Sequence, residues 1–225
     1  MDTFRALVVD KKEDDFSVNI KELRKEDLPA GDLLIKVQYS SVNYKDGNIV
    51  RNYPHVPGID LAGVVLESDH ADFKPGDEVI ATSYEIGVSH YGGFSEYARL
   101  SSDWVLPLPE GLSLKEAMTY GTAGFTAALA VHQLQYNGLT KEDGKVLVSG
   151  ATGGVGSIAL AMLAKLGFEV VASTGKETAG DFLRSLGASE IISREALQPE
   201  KIRPLDKQAW AGAVDPVGGK TLSYI

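Results

Sequence analysis

The glycine-rich stretch 145–157 constrains the fold of this chain more than any other part of its sequence. It begins with a short apolar run, Val146–Val148, which has the composition of a buried strand. Four glycines follow: Gly150, Gly153, Gly154 and Gly156. The apolar segment 158–166 then continues as a helix. Glycines let a backbone approach a phosphate, and a helix N-terminus offers unpaired N–H groups. The stretch predicts a strand–turn–helix unit that binds a dinucleotide pyrophosphate; the alternative is a tight turn without a ligand.

Composition limits the kind of protein that this chain can be. The 225 residues carry a formal net charge of −9, which argues against non-specific binding to nucleic acid. No apolar run approaches the roughly 18 residues that span a bilayer, and segment 1–9 has the pattern of a strand rather than a signal peptide. The absence of cysteine excludes disulfides, thiolate metal sites and a cysteine nucleophile. We therefore expect a cytoplasmic protein with neither a nucleic-acid nor a membrane partner.

The first half of the chain, to about Leu108, has the signals of a β-rich domain. Short apolar or alternating runs are separated by Gly, Pro and Asp, and the clearest are 33–39, 61–66, 78–81 and 94–100. Regular short strands bounded by turn residues are typical of a compact β-barrel.

The pattern changes near Ser113, which forms a capping box with Glu116 and predicts a helix start. A second helical stretch covers 122–134. Strands are then predicted at 145–149, 169–173, 190–192 and 210–215, with helices at 156–166 and near 177–186 between them. Strands that alternate with helices indicate a doubly wound parallel sheet of the Rossmann type. Because such a sheet has about six strands and four are evident, we expect the chain to be part of a longer protein.

The end of the second strand of this sheet predicts the cofactor. In NAD-binding sheets an acidic residue there holds the ribose hydroxyls. Here, 17 residues after Gly156 (173 − 156), the sequence is Ser173-Thr174-Gly175-Lys176, which contains no carboxylate. Hydroxyls and an ammonium suit a 2′-phosphate, and Arg194 could add a second cation. We predict NADPH as the cofactor. The alternative for Lys176 is a solvated turn that happens to carry a lysine, and the alternative for Arg194 is an ordinary surface arginine.

Several motifs together are similar to those of the medium-chain dehydrogenase/reductase superfamily, in that superfamily's order. They are 41–46 (SVNYKD), 57–65 (PGIDLAGVV), 75–79 (PGDEV), 92–97 (GGFSEY), 121–127 (GTAGFTA) and 150–156 (GATGGVG). Within it, segments 43–46, 171–175, 192–195 and 210–215 resemble the YhdH/YhfP group of NADPH-dependent quinone oxidoreductase-like enzymes, some of which reduce acryloyl-CoA. The resemblance implies a GroES-like domain, assigned to 1–118, and a partial Rossmann domain, assigned to 119–225.

The same resemblance bears on metal binding. Zinc enzymes of the superfamily place a cysteine where this chain has Asn43, and a Gly-His-Glu where it has Gly58-Ile59-Asp60. The four histidines show no paired ligand spacing. We predict an enzyme without a metal. Without such a Lewis acid, reduction of an activated C=C bond or a quinone is the favoured chemistry.

The resemblance also implies roles for individual residues. Tyr44 resembles a cofactor contact on the nicotinamide side; the alternative is a packed aromatic ring. Asn43 could orient a substrate carbonyl or the nicotinamide amide; the alternative is a turn cap. Tyr53 resembles a tyrosine at the substrate mouth. Thr122 and Thr126 are expected near the nicotinamide. The pyrophosphate is expected against Thr152, Gly153, Gly154 and Val155.

These observations predict a reductase that uses NADPH and a small-molecule acceptor: an enone, a quinone or an enoyl thioester. The alternative is an NADPH-binding sensor or scaffold with little catalysis. Relatives often carry a longer loop after Gly47, so the acceptor is left open. The resemblance also implies a homodimer.

Overall fold

The computed structural model describes residues 3–13, 15–47, 53–198 and 207–225. The chain divides into two compact units, Met1–Thr122 and Ala123–Ile225. In the part of the chain that the structure describes, no helix is long and apolar enough to cross a membrane.

The first unit is built on a five-stranded antiparallel sheet. Its strands are β3 (Leu33–Tyr39), β4 (Asp60–Ser68), β5 (Glu78–Thr82), β6 (Tyr97–Leu100) and β7 (Val105–Pro107), arranged in the order β6-β3-β4-β5-β7. Alternate residues of these strands, such as Leu33, Ile35 and Leu61, are fully buried in one core. Each buried leucine or isoleucine contributes roughly 1.5–3 kcal/mol relative to an exposed one. This unit corresponds to the GroES-like domain expected from the sequence.

A separate antiparallel hairpin precedes this sheet. It consists of β1 (Thr3–Lys12) and β2 (Asp15–Arg24). Isolated bridges join β1 to the rest of the unit, at Ala6 with Ser95 and at Val9 with His55. The side chains of Phe4, Ala6 and Val8 pack with Val56 in a small core. Strand β2 is exposed along almost its whole length, and the sequence did not predict it.

Helix α1 (Leu114–Tyr136) begins where the capping box was predicted. Ser113 N–H donates to the Glu116 carboxylate at 2.9 Å, and Glu116 N–H donates to Ser113 Oγ at 3.3 Å. The helix is interrupted at Gly121, which has φ +50° and ψ −155°. The two helical stretches expected from the sequence therefore meet at this glycine.

The second unit contains the predicted parallel sheet. Its strands are β8 (Val146–Val148), β9 (Val170–Thr174), β10 (Glu190–Ser193) and β11 (Gly212–Val214), in the order β10-β9-β8-β11. Its helices are α2 (Gly154–Lys165), α3 (Gly180–Ser185) and α4 (Lys220–Tyr224). The strand order corresponds to the 3-2-1-4 arrangement of a Rossmann sheet. The α/β fold class predicted from the sequence is confirmed.

Two elements differ from the sequence-based expectation. The strand predicted at 94–100 begins only at Tyr97, because the Phe94 N–H donates to Pro57 O at 3.0 Å instead of joining a ladder. The helix expected near 177–186 is divided into a 3₁₀ turn, Glu177–Ala179, and the six-residue α3. No side-chain hydrogen bond caps the start of either segment.

The imidazole of His55 is buried in the first unit with an exposed fraction of 1%. Its Nε2 has no hydrogen-bond partner among the described residues, and its ring meets that of Tyr91 edge-on at 5.7 Å. Burial lowers the pKa of His55, and a hydrogen bond with the Gly87 backbone opposes this only in part. The folded unit therefore disfavours protonation of this histidine.

We predict that His55 makes the stability of the protein depend on pH. Its folded pKa lies below the unfolded value of about 6.5, so the unfolded state binds a proton more readily and stability is lost as the pH falls below about 6.5. Chemical denaturation from pH 7.5 to 5.5 should show the free energy of unfolding of the wild type falling relative to that of His55→Gln. The exposed His132→Gln variant is the control. A parallel decline in the wild type and His55→Gln would contradict the prediction.

Candidate functional site

The glycine turn joins β8 to α2 through a tight loop. Gly150 has φ +53°, and its carbonyl oxygen accepts the Gly153 N–H at 2.9 Å. A Cβ at Gly156 would lie 2.4 Å from the same oxygen, so the start of α2 packs directly on the loop. No side chain caps the N-terminus of α2, whose first N–H groups lack intrahelical partners. This end of the helix suits an anion such as a pyrophosphate.

A cavity of about 280 Å³ connects this turn to the end of β9. Ser173 is buried, and the hydroxyls of Thr152 and Thr174, which both line the cavity, lie 3.4 Å apart. The Lys176 N–H donates to Thr174 Oγ1 at 3.0 Å, which fixes the chain at the strand end. The structure thus brings the predicted pyrophosphate turn and the predicted ribose-side residues into one cavity.

Arg194 lies against the same strand end. A Cβ at Gly175 would be 3.2 Å from its Cζ, so the guanidinium lies over a position that has no side chain. Arg194 and Lys176 both line the cavity, and no carboxylate is among its described lining residues. Glu195 approaches Arg194 at 3.8 Å from outside, but both side chains are largely exposed and the pair is weak. Two cations without an acid favour a phosphate group at this end.

The segment after β11 closes the other side of the turn. Ser149 Oγ donates to the Asp215 carboxylate, which also accepts the N–H groups of Val217 and Gly218 at 3.0 Å each. A Cβ at Gly150 would lie 3.0 Å from Val217 Cγ2, so this closure leaves little room for a larger residue. The carboxylate of Asp215 therefore holds this turn together through hydrogen bonds. The turn lies at the strand end where ligands bind in open α/β sheets.

The first unit contains a separate cluster around a buried carboxylate, Asp60, at the start of β4. Asp60 Oδ2 accepts Ser41 Oγ at 2.5 Å, Asn43 Nδ2 at 2.9 Å and the Thr122 N–H at 2.8 Å. Its Oδ1 accepts Thr122 Oγ1 at 2.5 Å. A buried carboxylate is stable only with such compensation, and here three residues on two chain segments supply it. Because a carboxylate accepts and does not donate, the Asn43 atom that faces it is the amide nitrogen.

Gly121, where α1 is interrupted, permits this cluster. A Cβ at this position would lie 2.6 Å from both Asp60 Oδ2 and Ser41 Oγ. The same break in the helix lets the Thr122 N–H reach Asp60. Positive φ and close approach together explain the glycine at this position.

Asp46 fixes the loop that carries Asn43 and Tyr44. Its carboxylate accepts the Asn43 N–H at 2.6 Å and the Ile59 N–H at 2.9 Å, closing the short 3₁₀ turn Tyr44–Gly47. Burial raises the pKa of Asp46, backbone hydrogen bonds from Asn43 and Ile59 oppose the rise, and Asp60 adds to it. The loop is thereby attached to the start of β4.

Asn43, Tyr44 and Tyr53, the three predicted catalytic residues, line one cavity of about 600 Å³ within the first unit. Tyr44 is 93% exposed, which does not fit the alternative of a packed aromatic residue. Tyr53 contacts the ring of Phe16 edge-on at 5.6 Å. The cavity therefore combines an amide, a carboxylate and two phenol rings with apolar walls.

Two further predicted residues lie on α1. Thr122 donates to Asp60, and Thr126 is exposed. Their expected contact with a nicotinamide stays a prediction, as does the role of each pyrophosphate and ribose contact.

Asp60 is the residue whose importance sequence reasoning missed. The sequence drew attention to Asp60 only as part of Gly58-Ile59-Asp60, at the position where zinc enzymes of the superfamily have Gly-His-Glu. The available signal was an acidic residue at the head of the apolar run 61–66, since a charge beside a buried strand requires partners. Those partners are as far as 62 residues away in sequence, so local patterns could not identify them.

We predict that Gly121→Ala destabilises the protein more than Gly76→Ala does. Both glycines have positive φ, +50° and +97°, but a Cβ at Gly76 has nothing within 4 Å. A positive φ costs a residue with a Cβ about 1–3 kcal/mol at either position, and disruption of the Asp60 hydrogen bonds should add roughly 1–3 kcal/mol at Gly121. Thermal and denaturant unfolding of both variants measures the difference. Equal losses of stability would show that the Asp60 cluster tolerates the methyl group.

Comparison with known proteins identifies the family. Residues 29–110 match the family described as the alcohol dehydrogenase GroES-like domain. YhfP of Bacillus subtilis, whose name places it with the quinone oxidoreductases, is 60% identical over 99% of this chain and 69% of its own length. Its crystal structure with NAD bound matches with a TM-score of 0.95 and 58% identity, covering 100% of this chain and 70% of that one.

Two other relatives support the same family assignment. The acrylyl-CoA reductase AcuI of Ruegeria pomeroyi is 50% identical over 99% of this chain and 70% of its own length. The crystal structure of YhdH from Escherichia coli K-12 with bound NADPH matches with a TM-score of 0.94 and 44% identity, covering 97% of this chain and 69% of that one. The chain therefore belongs to the medium-chain dehydrogenase/reductase superfamily, in the group that contains YhfP and YhdH.

Proposed function

We propose that this protein is an NADPH-dependent oxidoreductase that reduces an activated C=C bond or a quinone. The observation that carries the proposal is the cavity at the glycine turn, whose described lining residues include Lys176 and Arg194 and no carboxylate. The names of the relatives support both acceptor classes, because one is an acrylyl-CoA reductase and another is grouped with quinone oxidoreductases.

The residues of the second unit fit this cofactor. The first turn of α2, with Thr152, Gly153, Gly154 and Val155, would hold the pyrophosphate through backbone N–H groups. Ser173, Thr174, Gly175, Lys176 and Arg194 would hold the ribose and its 2′-phosphate. YhdH was crystallised with NADPH and YhfP with NAD, so relatives of this fold bind either dinucleotide. The paired cations favour NADPH for this chain.

A bound NADPH would supply a hydride to the acceptor, and a proton from solvent or from a side chain would complete the reduction. Negative charge then develops on the acceptor oxygen, and hydrogen-bond donors must be positioned for it in advance. Asn43 and Tyr44 provide such donors in the wall of the first-unit cavity. Asn43 Nδ2 carries two hydrogens, and the bond to Asp60 uses one of them. Tyr53 borders the same cavity and would contact the acceptor.

Asp60 would act through Asn43 as a positioning residue. Its bond to Nδ2 sets the plane of the amide, while the bond from the Asn43 N–H to Asp46 sets the backbone. Donors held in this way need little reorganisation when charge develops. Thr122, on the other side of Asp60, and Thr126 are proposed to lie near the nicotinamide.

We further propose that the protein acts in the cytoplasm, as a homodimer and without a metal ion. The absence of cysteine in the 225 residues agrees with a reducing compartment. The substitution of Asn43 at the position of a zinc-binding cysteine supports chemistry that depends on hydrogen-bond donors.

The activity is tested by following NADPH absorbance in a stopped-flow instrument with acryloyl-CoA and with simple quinones. We expect turnover with at least one of the two classes. We also expect Asn43→Ala to lower kcat by roughly 10²-fold, the typical effect of losing one donor to a developing oxyanion. Loss of turnover with both acceptor classes in the wild type would refute the proposal.

The cofactor preference is tested separately by equilibrium binding of NADPH and NADH. Lys176→Ala and Arg194→Ala should each weaken NADPH binding by about tenfold, equivalent to about 1.4 kcal/mol, and leave NADH binding unchanged. Lys115→Ala, which removes an exposed cation from α1, is the control for net charge. An unchanged NADPH/NADH ratio in both cavity variants would show that the 2′-phosphate assignment is wrong.

A further inference from the structure

The outer strand β2 carries a row of apolar side chains that the core does not use. Phe16, Val18 and Ile20 alternate with polar residues, yet they are 58%, 58% and 72% exposed. A strand that faces solvent gains little from such a row, and a cluster of exposed apolar residues on one face marks a binding surface. The exposed row Phe16, Val18 and Ile20 therefore has the character of a ligand-binding surface.

The register of the hairpin directs part of this row into the cavity of the first unit. Phe16 is opposite Lys11 and Val18 is opposite Val9, so these pairs share one face of the hairpin. Phe16, Val18 and Val9 all line the cavity that also contains Asn43 and Tyr44. One wall of the cavity is thus a β-hairpin face, and the proposed donors lie on another.

The chemistry of this wall is aromatic and apolar. The Phe16 ring meets Tyr53 edge-on at 5.6 Å, and Lys11 Nζ lies 5.3 Å from the centre of the Phe16 ring. Tyr44 adds a third ring to the same cavity. Aromatic walls favour flat unsaturated ligands, whose faces and edges they can contact.

The lining of the cavity has an apolar part and a polar part. The side chains of Phe16, Val18 and Val9 offer no hydrogen-bond partner, whereas those of Asn43 and Tyr44 do. A cyclic acceptor can place its ring against the apolar part and its carbonyl oxygen against the polar part.

We propose that Phe16 and Val18 form a specificity-determining wall that binds the ring of a quinone or cyclic enone acceptor. This inference rests on the proposed function, because it names the acceptor class of the same site. It assigns to the hairpin a role in acceptor binding, while the donors near Asp60 act on the reacting oxygen.

The test measures KM for 1,4-naphthoquinone and for acryloyl-CoA in Phe16→Ala and Val18→Ala. Ile20→Ala is the matched control: it shortens an apolar residue of the same strand face that does not line this cavity and borders the neighbouring groove, which shares Leu7 and Phe94 with the cavity. We expect the naphthoquinone KM to rise about tenfold in Phe16→Ala and about threefold in Val18→Ala. Ile20→Ala should not change it, and NADPH affinity should be unaffected in all three variants.

Two results would overturn the inference: a naphthoquinone KM in Phe16→Ala equal to that in Ile20→Ala, or an equal rise for both acceptors. If the wild type reduces neither acceptor, the proposed function fails, and calorimetric binding of 1,4-naphthoquinone to the wild type and Phe16→Ala then tests the wall by itself. Phe16→Leu, which keeps an apolar side chain without the ring, replaces Phe16→Ala if that variant does not fold.

Discussion

The buried carboxylate of Asp60 is the interaction on which the first unit depends. An uncompensated charge in this position would cost several kcal/mol, so the surrounding chain must supply donors. It does so from the loop at Ser41 and Asn43 and from Thr122 beyond the break in α1. The start of β4, that loop and the interruption of α1 at Gly121 are therefore coupled. A side chain that positions the proposed active amide is also one that holds these segments together.

Both units place glycine where two segments must touch. At Gly121 a Cβ would enter the Asp60 cluster, and at Gly156 it would enter the carbonyl of Gly150. Glycines with open space around them, such as Gly76, serve only the backbone conformation of a turn. The distinction separates glycines that shape a binding site from those that permit a bend.

The second unit was largely predictable from the sequence because its signals are local. The apolar strand, the glycine turn and the following helix are adjacent in the chain, and all four strands of the sheet were expected. The first unit was harder. Strand β2 was not predicted, although Phe16, Val18 and Ile20 alternate with polar residues as in a strand. What the pattern could not show is that this apolar row is exposed and not part of the core. Asp60 was missed because its partners are 17, 19 and 62 residues away, beyond the reach of any periodic pattern.

The arrangement around Asn43 shows how a neutral amide can be held in one orientation. An amide can face a partner with either its oxygen or its nitrogen, and it has no fixed preference by itself. Asp60 removes that ambiguity because it accepts only from Nδ2, and Asp46 fixes the backbone on which the amide is mounted. The pKa of the half-buried Asp46 is raised mainly by burial. Repulsion between its carboxylate and that of Asp60 is a second, smaller cause. The hydrogen bonds that each acid receives from the backbone or from hydroxyls offset this repulsion. A donor oriented by two such acids is rigid, and rigidity is what a site that stabilises developing negative charge requires.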